Sequence, residues 1–165
     1  ILYADQVYKV IPPQKGRKHL LSIISTMLSA EYVAAPSQID VALQYMMSVF
    51  KKKSMVFVFS DFEDDYDLKI LRVASKKHQL LAMRIADEKD NEIPDIGYAL
   101  FTNAETGKQV WANTSSARWR YVFAENQKKK FRQVTEDFEN SAAAFMNIKT
   151  GDDYAKLLYQ YFRKR

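Results

Sequence analysis

Cysteine is absent from the 165-residue chain. Disulfides, zinc–thiolate centres and cysteine nucleophiles are therefore excluded, and the expectation is a reducing, cytoplasmic setting. Histidine occurs only as His19 and His78, each in or beside a lysine cluster. They have no metal-ligand spacing and read as surface residues, which leaves a histidine-based triad without support. The four glycines, Gly16, Gly97, Gly107 and Gly151, never cluster. A phosphate-cradling P-loop and a dinucleotide fingerprint are both excluded by that scatter. No apolar run approaches the roughly 20 residues that cross a bilayer, and no signal-peptide pattern opens the sequence. Chemistry is left to oxygens and amines.

What is present suits one domain, residues 1–165, since 47% of the chain is hydrophobic, enough for a single core. Its opening, "ILYADQVYKVI", is already in apolar alternation and lacks methionine. It reads as a strand with a short extension, closed by Pro12 and Pro13, and as a piece of a longer protein. In "RKHLLSIISTMLS" the residues Leu20, Leu21, Ile23, Ile24, Met27 and Leu28 recur at helical spacing, which predicts a helix with one buried stripe. "PSQIDVALQYMMSVFKKK" predicts a second helix burying Ile39, Ala42, Leu43, Met46 and Phe50, with Ser37 as N-cap and Asp40 completing a capping-box variant. "MVFVFS" and "LLAMRIAD" are short continuous apolar runs that suit strands buried on both faces, with a helix over about 67–78 between them. Residues 97–114 look like a hairpin insertion turning at Asn103 to Gly107. A long helix over about 115–141 is expected to bury Trp119, Val122, Phe123, Phe131, Val134 and Phe138. A strand in "AAFMNIKT" and a helix in "DDYAKLLYQYFRKR" complete an α/β pattern, the helix turning Tyr154, Leu157, Leu158 and Tyr161 inward.

In a parallel α/β sheet, strand-exit and helix-exit loops occupy opposite ends. The net charge of +5 then divides into an acidic strand-exit edge, with Asp61, Glu63, Asp64, Asp65, Asp67, Asp87, Glu88, Asp90, Asp152 and Asp153, and a basic opposite edge with Lys51 to Lys53, Lys76, Lys77 and Arg163 to Arg165. Helix-dipole complementarity explains most of these charges. Asp61 is left over, because Asp64 to Asp67 can start the following helix without it. At the exit of a buried strand its carboxylate is a candidate ligand for a hard cation such as Mg²⁺, with Ser37 a hydroxyl on the same edge. A metal-dependent hydrolase or phosphoryl-transfer enzyme built on Asp61, Asp64 and Asp65, with Asp87 and Asp90 as neighbours, is the alternative reading. The clusters "SARWRYVF" and "KKKFRQ" read as solvated helix faces rather than nucleic-acid contacts.

The segments "VYKVIPPQKGRKHLLSII", "SQIDVALQYM", "SMVFVFSDF", "KKHQLLAMRIAD", "EIPDIG", "ETGKQVWANTSS" and "DDYAKLLYQYFRKR", in that order, resemble the C-terminal part of the bacterial von Willebrand factor A-like family catalogued as domain of unknown function 58. The resemblance covers essentially the whole chain. It implies a Rossmann-like, mainly parallel sheet with helices on both faces, lacking the usual central first strand. It implies a partial metal-ion-dependent adhesion site, in which Ser37 stands for a threonine ligand and Asp61 for the final aspartate, the Asp-x-Ser-x-Ser segment being absent. No cofactor is expected in this piece alone, and a divalent cation such as Mg²⁺ in the intact protein. The function implied is non-enzymatic protein–protein docking, with a MoxR-type AAA+ ATPase or its client as partner. Loss of the first strand carries a structural expectation too: "LYADQVYKV" closes directly onto "MVFVFS", or the chain pairs with another as a dimer.

Overall fold

The computed structural model describes residues 1–31, 35–87, 93–103 and 107–163. Its centre is a parallel sheet of β3 (Met55–Ser60), β4 (Gln79–Ala86) and β7 (Ala144–Lys149), in that order. β3 and β4 run in register from Met55↔Gln79 to Ser60↔Arg84, and β4 meets β7 from Leu81↔Ala144 to Ala86↔Lys149. Helix α3 (Leu68–Lys77) carries the first crossover. Its start is fixed by Asp67, whose carboxylate accepts from the Lys69 amide at 2.7 Å. Helix α4 (Ala117–Asn140) leads into β7, with the Ser116 hydroxyl accepting from the Trp119 amide at 3.2 Å.

One sheet face turns Val58, Leu80 and Ala82 toward Ile39, Leu43 and Met46 of α2 (Ile39–Val49), Leu71 and Ala74 of α3, and Val134 and Phe138 of α4. Phe138 is wholly buried, edge-on to Phe62 at 5.0 Å. The other face turns Leu81, Met83 and Ile148 toward Leu157, Leu158 and Tyr161 of α5 (Tyr154–Arg163). Helices on both faces of a parallel sheet agree with the expected α/β architecture. So does the hairpin of β5 (Tyr98–Thr102) and β6 (Gln109–Asn113), although the centre of its turn lies outside the described residues.

Several burial expectations are corrected. β3 is not buried on both faces: Met55, Phe57 and Phe59 are 45%, 42% and 58% exposed, with the Phe162 ring 6.4 Å from Phe57 on that side. Helix α1 (Arg17–Leu28) forms where the spacing predicts, but no residue in it is buried. Within α4 only Val134 and Phe138 are buried, and Val122 is exposed, because the first half of the helix runs beyond the sheet and meets the hairpin instead. Phe50 and Tyr154 are exposed as well.

The opening strand does not close onto β3. Instead β1 (Leu2–Tyr3) and β2 (Val7–Lys9) pair antiparallel with each other. The Gln38 amide donates to Ala4 O at 2.9 Å and the Tyr3 ring joins the core under α2, so the hairpin is held to α2 rather than to a strand.

Candidate functional site

The acidic strand-exit edge is built by the loop that follows β3. Phe62 takes a left-handed conformation, φ 55°, and drives its ring into the core, 5.0 Å from Phe138 and 5.7 Å from Phe145. A non-glycine residue adopts such a φ only where surrounding contacts hold it there. With Phe62 anchored inward, Asp61 stays exposed. Its Oδ1 accepts from the Glu63 amide at 3.3 Å and from the Ser60 hydroxyl at 3.4 Å, closing an Asx-type turn.

Two crossed bonds tie this loop to the start of α2. The Ser37 amide donates to Asp64 Oδ2 at 2.5 Å, and the Asp67 amide donates to Asp40 Oδ2 at 2.8 Å. Ser37 is thus not the cap of α2, since Gln38 takes that position without a side-chain bond, and Asp40 caps across to α3 rather than within its own helix. Burial, reinforced by the charge of Asp67, pushes the Asp40 carboxyl up, against the lowering effect of the Asp67 amide. The structure brings the Ser37 and Asp61 segments to one end of the sheet, joined through Asp64.

Cations cross the same loop. Arg84, on β4 and only 12% exposed, donates from Nε to Asp61 O at 3.0 Å and from a terminal nitrogen to Asn147 Oδ1 at 3.3 Å, lies 3.6 Å from Glu63, and stacks 5.2 Å over the Phe131 ring. Lys130 reaches both the carboxylate and the backbone oxygen of Glu63. The Tyr3 hydroxyl is buried beside Ser60 and Asp61 without a well-formed hydrogen bond, and burial is the main reason its pKa is raised. Sequence reasoning missed Arg84. A lone arginine inside "LLAMRIAD" was the available signal, because a charge in a buried strand requires partners.

Ser37 and Asp61 do not by themselves fit a divalent cation. Among the described residues no three Asp, Glu or His groups converge, and Arg84 and Lys130 place positive charge on the same loop. Of the acids expected as neighbours, Asp87 accepts from the Thr150 hydroxyl at 2.9 Å, while Asp90 lies outside the described residues.

Two further places carry unusual surface. His78, expected at the surface, is 1% exposed. Its Nδ1 accepts from the Ser54 amide at 3.3 Å, its Nε2 is buried without a partner, and burial with the neighbouring Lys77 charge lowers its pKa. The hairpin presents Tyr98, Leu100 and Trp111 outward at 76%, 41% and 69% exposure, Leu100 standing directly across from Trp111. Its opposite face, where Val110 is exposed and Ala112 buried, borders with Phe101 an apolar cleft of about 410 Å³ shared with Ile93, Trp119 and Phe123. Thr114, fully buried, closes the hairpin base: its hydroxyl accepts from the Ile96 amide at 2.9 Å and donates to Gly97 O at 2.7 Å. Arg120 donates to Thr114 O and lies 3.5 Å from Asp95, locking the base to α4.

A family model described as protein of unknown function DUF58 matches residues 1–133, and the chain belongs to that family. Uncharacterized proteins of Mycobacterium tuberculosis and Mycobacterium bovis are each 29% identical over 101 residues, covering 59% of this chain and 32% of their own length. The chain therefore matches about a third of the length of these relatives. An uncharacterized protein of Mycobacterium avium is 24% identical over 159 residues, covering 94% of this chain and 93% of its own length. No solved structure matches.

Proposed function

We propose that this member of the DUF58 family is a non-enzymatic protein-docking module. The observation that supports the reading is the outward face of the hairpin, where Tyr98, Leu100 and Trp111 form an exposed apolar patch with two aromatics on a base locked by Thr114 and Arg120. Large aromatics on a rigid support are the side chains that dominate protein–protein contacts, and contiguous apolar surface of this kind marks interaction sites. The strand-exit edge is the second contact in this proposal. There Ser37 and Asp61 supply two oxygen ligands to a divalent cation whose remaining ligands come from polypeptide outside this chain. By the resemblance to von Willebrand factor A-like proteins, the partner is a MoxR-type AAA+ ATPase or its client.

The test is capture of a purified MoxR-type ATPase by a longer family protein containing this chain, as wild type, Trp111→Ala and Asp61→Ala, in Mg²⁺ and in chelator. Trp111→Ala is expected to weaken capture about tenfold or more, the scale of an aromatic hot spot. Asp61→Ala and chelator should each weaken it, with no further loss when combined. Capture indifferent to all three changes rejects the reading.

A further inference from the structure

Two apolar surfaces of this chain lie bare, and they match each other in length, polarity and charge. The first is the open face of β3, with Met55, Phe57 and Phe59 in a row. Asp61 continues that face at the strand exit by the two-residue period, and Lys51 to Lys53 precede the strand. The second is the stripe on α1 formed by Leu20, Leu21, Ile24, Met27 and Leu28, exposed at 57%, 55%, 44%, 57% and 83%. Arg17 prolongs the same stripe toward the helix start, one turn before Leu20 and Leu21. Between Asp5 and Glu31 the chain holds no carboxylate at all, so α1 and its approach are purely cationic.

The lengths agree. α1, of 12 residues, is about 18 Å long at the helical rise. β3, of 6 residues, is about 20 Å long. Orientation is decided by charge. A helix laid antiparallel to the strand it covers, as in parallel α/β sheets, brings Arg17 and Lys18 over Asp61 and the acids behind it. The same orientation sets the partly negative C-terminal end of α1 against Lys51 to Lys53. The reverse orientation would press Arg17 and Lys18 onto those lysines.

We propose that the bare face of β3 is covered by α1 of a second copy of this chain, reciprocally, in a two-fold dimer. α1 is flanked on both sides by elements held on the opposite sheet face: the β1–β2 hairpin through Tyr3 and Ala4, and α2 through Ile39, Leu43 and Met46. The bare row lies on the α5 side, where Phe57 meets Phe162. A helix tethered on one face reaches the other face of a neighbour without crossing its own sheet edge. Reciprocal exchange doubles the contact, as two-fold dimers require.

Because the chain lacks cysteine, single cysteines report this contact without background. Ile24→Cys and Phe57→Cys are made separately at exposed positions, mixed and oxidised, and the double variant is oxidised alone. The expected result is a covalent dimer from the mixture, none from Ile24→Cys by itself, and a wild-type mass by light scattering of two 19.2 kDa chains. Arg17→Glu with Lys18→Glu should raise the dimer dissociation constant about tenfold or more, and mixing that variant with Asp61→Lys should restore association. Chelator and Trp111→Ala should leave the dimer intact, which separates this contact from the docking proposed above; Asp61 faces Arg17 and Lys18 in one and the cation in the other, so the two are alternatives. A monomeric mass at every concentration overturns the dimer, as it would if other polypeptide covers β3. So does a cross-link confined to single chains of the double variant, the result expected if α1 folds over its own sheet, and so does a dimer indifferent to the charge reversals.

Discussion

His78 shows how one side chain can couple stability to pH. Its Nδ1 must remain unprotonated to accept from Ser54, and the charge that bears on it is the like charge of Lys77. The folded state therefore holds His78 below its ordinary value of 6.5, and the unfolded chain binds the proton first as pH falls. The stabilisation is full above that value and is lost as pH drops through it toward the lowered folded value. Denaturant unfolding at about pH 7.5 and about pH 5.5 should show lower stability at the acid end, and His78→Gln should flatten that difference. Asp40 works in the opposite sense, since its raised pKa favours the folded acid form and that gain disappears as pH rises through it. Neither behaviour was legible from residue type. His78 sits in "KKHQLL", where two lysines suggest solvent, yet the backbone reverses there from α3 into β4 and folds the ring under Ser54. Phe62 was similarly hidden in a knot of carboxylates, and only its left-handed backbone turns it into the core.

At the scale of elements, periodicity located every helix and strand of the sheet, because alternation and helical spacing are local properties of sequence. What those faces touch is not local. α1 has as regular an apolar stripe as α2, yet only α2 finds a core. α4 shows the same division within one helix, since Phe138 is wholly buried while Val122 is 47% exposed. Phe138→Ala should cost about 3–5 kcal/mol through the cavity left among Phe62, Tyr66 and Phe145. Val122→Ala should fall within about 0.5 kcal/mol of wild type. Urea unfolding of both variants checks the pair, and equal losses would mean the two halves of α4 are packed alike.

For the whole molecule, the segregation of charge was readable because a parallel sheet sends all strand exits to one end, and β3, β4 and β7 are parallel. The wiring of that end was not. The Asp64 carboxylate is tied to the Ser37 amide, the Asp67 amide to Asp40, and Glu63 to Arg84 and Lys130, through contacts that join residues far apart in the chain. With Asp61 left as an exposed carboxylate beside two cations, residues 1–165 alone should show no heat of Mg²⁺ binding by titration calorimetry. Micromolar affinity would mean that a complete site exists within this chain.

The connectivity of the sheet also sets a timetable for its assembly. β3 and β4 are adjacent and joined by a single helix of 10 residues, whereas β7 arrives only after the hairpin and a helix of 24 residues. Short loops close at little entropic cost and long ones later, so β3–α3–β4 is the natural nucleus and β7 with α5 the last addition. During synthesis the helix α1 leaves the ribosome before any strand of that nucleus. For a matter of seconds the apolar stripe of α1 is in water with no sheet of its own chain yet made.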